Sequence, residues 1–156
     1  MKAIDGIPGA AAPWIPHDST MRLIDVILEV EPARIRSELT VREHNPFHVA
    51  GRGLPGYVGF ELMAQTISAH DSLMRAHSGE PPVIGLLLGC RRYRCARDWL
   101  PAGEVYVIEA TAVIAEGEMR CFDCVLEDSQ GDVVASGTIN VFRPDDPSTL
   151  QTRNEP

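Results

Sequence analysis

The stretch Leu54-Pro55-Gly56-Tyr57-Val58-Gly59-Phe60-Glu61-Leu62-Met63-Ala64-Gln65-Thr66-Ile67-Ser68-Ala69 decides how this chain folds. Pro55 suits a first helical turn, where its missing N–H is harmless. From there to about Ala76, apolar residues fall on most sides of a helix: Val58, Phe60, Leu62, Met63, Ala64, Ile67, Ala69, Leu73 and Met74. A helix that is apolar nearly all round is buried by its surroundings. Ser78-Gly79-Glu80-Pro81-Pro82 stops it. Glu61 is the anomaly, because a carboxylate in a buried helix is costly unless it is paired, hydrogen-bonded or used.

The segments around the helix read as strands. Residues 21–30 (MRLIDVILEV) and 33–41 (ARIRSELTV) flank a Glu31-Pro32 turn and open the domain as a hairpin. In the second, Ile35, Ser37, Leu39 and Val41 alternate with Arg34, Arg36, Glu38 and Thr40, a period of two with one wet face. Residues 44–53 carry Pro and Gly and read as a loop. After the helix come four more strands, at 83–94, 105–114, 119–127 and 133–142, separated by Gly-containing and polar turns. One buried helix needs cover on every side. A curled antiparallel sheet wrapped around it, the hotdog arrangement of the α+β class, is the simple solution. Pairing two such sheets would protect their edges, so a dimer is expected. Residues 1–14, rich in Gly, Ala and Pro, read as a loose arm, residues 15–144 as the domain, and residues 145–156 as a frayed tail.

Composition narrows the function. With 156 residues and 44% hydrophobic content, a single domain with a sizeable core is expected. A net charge of −8 and a pI near 5.0 argue against nucleic-acid binding. Charges interrupt every apolar run, so no membrane insertion is expected. The N-terminus lacks a basic-then-apolar layout, which predicts a cytoplasmic protein. Cys121-Phe122-Asp123-Cys124 has the spacing of a zinc or redox pair. It lies in a strand, however, where residues three apart face opposite sides. Ordinary buried thiols are expected there, as for Cys90 and Cys95, and no metal site.

Three further segments join the helix in a resemblance. The helix GYVGFELMAQTISA is similar to the central helix of hotdog-fold 3-hydroxyacyl-acyl-carrier-protein dehydratases of the FabA/FabZ type, and it most resembles the ApeP-like branch found in aryl-polyene pigment clusters. Trp14-Ile15-Pro16-His17 followed by Met21-Arg22-Leu23-Ile24-Asp25-Val26 resembles the family's opening strand. Residues 84–94 resemble its strand after the helix, and Leu100-Pro101-Ala102-Gly103-Glu104 its "PGD" turn.

This resemblance implies a catalytic histidine in the loop before the helix and a carboxylate within it. Glu61 falls on the carboxylate position, with Gln65 one turn on as a supporting residue. His48 is the best match for the histidine, although FabZ-type members read GHFPG where this chain reads Phe47-His48-Val49-Ala50-Gly51. In the family the two groups come from different subunits, so each site straddles a homodimer or heterodimer interface. Dehydration needs an α-proton removed and a β-hydroxyl protonated as it leaves. Neutral histidine suits the first task and a neutral carboxylic acid the second. Backbone N–H groups around Gly56, at the positive end of the helix, are placed to steady charge on the thioester carbonyl.

Phe60, Leu86 and Leu88 are the expected walls of an acyl tunnel. Arg91, Arg92, Arg94 and Arg97 form the one dense basic cluster and are the expected docking patch for an acidic acyl carrier protein. His17 reads as closing the loop before the first strand, and His70 and His77 as a surface or end-of-helix pair. No metal or organic cofactor is implied. Two other functions fit the same fold: a hotdog acyl thioesterase using Glu61 to activate water, and a non-catalytic acyl-binding subunit paired with an active paralogue.

Overall fold

In the computed structural model, which describes residues 4–146 and 148, a 3-10 turn at Gly56–Val58 leads into helix α1, Gly59–His77. Leu62, Met63, Ala69 and Leu73 are fully buried. Burial of each of the Leu and Met side chains stabilises the fold by roughly 1.5–3 kcal/mol. The polar Thr66 is accommodated because its hydroxyl reaches the Leu62 carbonyl at 2.8 Å and the Ser37 hydroxyl at 2.6 Å. The helix ends where Gly79 turns left-handed, at φ +72°, and the Glu80 N–H returns to the Arg75 carbonyl at 2.8 Å.

The sheet has seven strands: β1 (Gly9–Ala10), β2 (Val26–Glu31), β3 (Arg34–Thr40), β5 (Leu86–Cys95), β7 (Val105–Glu116), β8 (Met119–Glu127) and β9 (Val133–Phe142). Their order is β1-β2-β3-β7-β8-β9-β5, antiparallel throughout. Helix α1 packs against β3, β5, β7, β8 and β9, so the sheet curls around it as the α+β hotdog expected from the order of elements. A separate two-stranded ribbon, β4 (Leu54–Pro55) with β6 (Trp99–Leu100), fixes the chain just before the helix. The period-two reading of β3 is observed directly: Ile35, Ser37 and Leu39 are buried, and the residues between them are half-exposed. Across the ladder they meet the inward-facing Ala110, Ile108 and Tyr106 of β7.

Three details differ from the sequence reading. Strand β2 begins at Val26 rather than Met21, because the Gln65 side chain takes the Leu23 N–H at 2.8 Å and the Met21 carbonyl at 2.7 Å, bonds that a neighbouring strand would otherwise make. Part of the expected loose arm is docked, with Gly9 and Ala10 pairing with Ile27 and Val26 and Ala11 fully buried. Strand β5 starts at Leu86 and carries two register shifts, with Arg92 in the left-handed region at φ +58°. Most of the tail at 145–156 lies outside the described residues. Among the described residues no helix is long and apolar enough to cross a membrane.

Candidate active site

Glu61 lies in the first turn of α1, but it is not sealed in the core. Its side chain is 30% exposed and faces His17, whose Nε2 is 3.4 Å from Glu61 Oε1. One turn on, Gln65 is fully buried and donates from Nε2 to the same carboxylate oxygen at 3.0 Å. The two bonds from Gln65 to Leu23 and Met21 hold it in place. Through Gln65 the helix therefore fixes both the carboxylate and residues 21–23, just past His17. The other histidine nitrogen, Nδ1, is buried without a hydrogen-bond partner among the described residues. Such orphans call for an explanation, and functional sites are one.

Glu61 and His17 stand at one end of a cavity of about 490 Å³, within the range of small-molecule sites. It runs along the helix face bearing Ala64, Ile67, Ser68, Asp71 and Met74, and its opposite wall comes from the sheet. The strand β5 residue in that wall is Leu87, not Leu86 or Leu88. Side chains alternate across a strand, so a one-residue difference in register exchanges the wall for the outer face. Leu87 pairs with Val141 of β9, which also lines the cavity. Phe60 points elsewhere and packs edge-on against Tyr93, ring centres 6.4 Å apart.

The histidines are distributed differently from the reading of the sequence. His17, expected only to close a loop, is the histidine that meets Glu61. His48 is half-buried in its loop, its N–H bonded to the Asn45 carbonyl at 2.9 Å, and does not line the cavity within this chain. The Pro16-His17 pair ahead of the first strand was the available signal for His17, but some forty residues separate it from the helix it joins. His77 is exposed at the end of α1, as expected. His70 is not a surface group. It is buried, stacks edge-on against Phe122 at 6.0 Å, and has Nε2 2.8 Å from the Glu31 carbonyl.

Burial pushes the His70 imidazole below its ordinary value of 6.5, against the opposing pull of the Glu31 carbonyl and of Asp71. The unfolded chain then binds this proton more readily than the folded one, so the contribution is intact above the ordinary value and is lost as pH falls below it. The melting temperature of the wild type is expected to drop more steeply between about pH 7 and about pH 5 than that of His70→Gln. Parallel acid profiles would show that His70 does not titrate as its burial implies.

The helix entrance is tightly built. Gly56 donates its N–H to the Asp98 carbonyl at 2.8 Å, and its own carbonyl accepts the Tyr93 hydroxyl at 2.5 Å. The Gly56 N–H is therefore engaged, contrary to the expectation that it faces a substrate. Of the first-turn donors, that of Tyr57 remains beyond it, since the 3-10 turn closes between the Pro55 carbonyl and the Val58 N–H. Burial raises the Tyr93 phenol far above its ordinary range, which keeps it neutral as the donor in this contact.

The four arginines separate into two groups. Arg97 is tied to Asp128 at 2.5 Å and lies 3.6 Å from Glu104 and 3.4 Å from the Tyr106 hydroxyl, so it is a structural residue. Arg91, Arg92 and Arg94 are exposed on β5, and no ion pair holds them among the described residues. Beside them Ile84, Leu86, Leu87 and Leu88 are also exposed, Ile84 by 65%. This is the edge of the sheet, since β5 has a neighbour on one side only.

Comparison with known proteins adds a family and a set of solved folds. A family model described as ApeP-like, the ApeP dehydratase, matches residues 9–152. No protein of curated function matches the sequence at a significant level. Among solved structures, the dehydratase heterocomplex ApeI:P from Xenorhabdus doucetiae superposes with a TM-score of 0.84 at 25% identity, over 94% of this chain and 98% of that one. A hypothetical thioesterase with coenzyme A from Streptococcus pneumoniae aligns with a TM-score of 0.58 at 18% identity, over 76% of this chain and 84% of that one. The E. coli PaaI protein aligns with a TM-score of 0.60 at 14% identity, over 75% and 81%. The last two likenesses carry the hotdog fold alone.

Proposed function

Because the chain belongs to the ApeP-like dehydratase family, we propose that it removes water from 3-hydroxyacyl thioesters carried on an acyl carrier protein. The products are trans-2-enoyl thioesters, in fatty-acid or aryl-polyene-type biosynthesis. The observation that carries this reading is the acid/base pair at the head of a largely apolar cavity, with Glu61 and His17 3.4 Å apart.

The thioester carbonyl lies near the start of α1, where the Tyr57 N–H and the positive helix end steady the charge that builds on it. A neutral imidazole removes the α-proton. The C–O bond at the β-carbon breaks, the α,β double bond forms, and the carboxyl of Glu61 gives its proton to the departing hydroxyl, which leaves as water. The acyl chain lies along the cavity beside Leu87 and Val141. Gln65 fixes the carboxylate but touches no reacting atom. The reaction asks only for a proton acceptor and a proton donor, so the proposal includes no cofactor.

The partner is a second hotdog subunit, identical or related, added at the apolar edge of β5. An exposed edge strand is a template for such pairing, and the ApeI:P relative is named as a heterocomplex. Arg91, Arg92 and Arg94, left free on the same strand, supply positive charge for an acidic carrier protein.

The 3.4 Å contact with Glu61 supports His17 as the base. His48 takes that role only if a second subunit brings its loop to the cavity. His17→Ala is expected to lower kcat/KM for a 3-hydroxyacyl carrier-protein thioester by at least about 100-fold, with His48→Ala within a few-fold of wild type. The opposite result, with His48→Ala inactive and His17→Ala active, would assign the base to the loop of the partner subunit.

A further inference from the structure

The far end of the cavity is charged, and the proposed reaction leaves this unused. Along α1 the rise of about 1.5 Å per residue puts Asp71 and Met74 roughly 15–20 Å from the level of Glu61. Two arginines stand there at positions that should face the core. On β8 the inward row runs Leu126, Cys124, Phe122, all buried, and its next member is Arg120. On β9 the inward row runs Ala135, Gly137, Ile139, Val141, and Arg143, one residue past the end of the strand, continues it. Both arginines line the cavity.

Their charges are balanced differently. Arg143 is paired with Asp71 of the helix. Arg120 has Nη1 directed to the backbone carbonyls of Gly117 and Met119, and no carboxylate lies within 4 Å of it among the described residues. A guanidinium carries five N–H donors in a planar fork. Those two carbonyls share one nitrogen, so among the described residues nothing takes the rest of the fork. An apolar chain end pressed against it would strip water from the charge and return nothing. A carboxylate there would form a paired, charge-assisted contact.

We propose that Arg120 is a specificity determinant, and that the far end of the cavity takes an acyl chain ending in an oxygen acceptor, a carboxylate best of all, rather than in a methyl group. This rests on the reading that the cavity holds the acyl chain, but it does not depend on the dehydration step. The test therefore uses ligands that cannot react: two pantetheine amides of equal chain length without a 3-hydroxyl, one ending in methyl and one in carboxylate. Their binding to the full chain, with its hotdog partner where one copurifies, is measured by calorimetry.

The carboxylate-ended amide is expected to bind about tenfold more tightly, with the advantage falling below about threefold in Arg120→Gln and partly kept in Arg120→Lys. Binding of the methyl-ended amide with equal or weaker binding of its partner would overturn the assignment of Arg120 alone. So would a preference that survives Arg120→Gln. Failure of both amides to bind would overturn the acyl-cavity reading and this inference with it. The comparison within the wild type stands even if a variant folds poorly.

Discussion

Glu61→Gln is expected to lower dehydration by about 10,000-fold while leaving the fold intact. Glutamine has nearly the size of glutamate, and its carbonyl oxygen can still accept the Gln65 N–H that now reaches the carboxylate at 3.0 Å. The amide cannot pass a proton to a departing hydroxyl. The loss should therefore appear in kcat with KM little changed, the signature of an interaction used in the transition state. The position at the rim of the cavity supports the same expectation: with the side chain 30% exposed, the change strands no buried charge, and the melting temperature should hardly move. Residual activity within tenfold of wild type, in a protein that melts normally, would remove Glu61 from the chemistry.

The second large effect is structural. Gly56→Ala is expected to destabilise the protein by roughly 2–3 kcal/mol and to lower its melting temperature by roughly 5–10 °C. A Cβ on Gly56 would lie 2.3 Å from the Arg97 carbonyl oxygen and 3.0 Å from Cys95 Sγ. The oxygen is backbone and cannot swing away. Its residue is anchored through the Arg97 side chain to Asp128, and the next carbonyl, that of Asp98, accepts the Gly56 N–H at 2.8 Å. Relief requires the helix entrance to part from the segment before β6, which also strains the Tyr93 contact to the Gly56 carbonyl. Thermal unfolding by circular dichroism decides the matter. A shift below about 2 °C would mean that this junction yields more readily than its contacts imply.

The architecture could be read from local chemistry because it rests on periodicity and on one helix whose apolar residues fall on most of its sides. The alternation in β3 and the run from Val58 to Met74 each specify an inward face without help from distant residues. Glu61 and Gln65 were recognisable for the same reason, being polar groups one turn apart in the apolar opening turns of that helix. The remainder of the site depends on contacts that no local pattern encodes. His17 reaches Glu61 where Gln65 captures residues 21–23 and delays the start of β2 to Val26. Leu87 rather than its neighbours faces the cavity because the register against β9 sets the face of β5, and that register shifts at Gly89. His70 was misplaced because the polar Asp71 and Ser72 beside it suggest a wet face, whereas the Glu31 carbonyl provides a buried partner for it. Arg97 was grouped with its neighbours by proximity in sequence, although Asp128 holds it to the turn between β8 and β9.

Glu61 and a histidine are expected to dehydrate an acyl thioester at the head of this cavity. The measurement that tests this most directly is the mass of the acyl group after the purified protein, with its hotdog partner if one copurifies, is incubated with a 3-hydroxyacyl carrier-protein thioester. Loss of one water from the acyl group is expected, with the thioester intact. Release of the free 3-hydroxy acid would contradict it and indicate a thioesterase. An unchanged substrate that stays bound would contradict it in favour of a non-catalytic acyl-binding subunit.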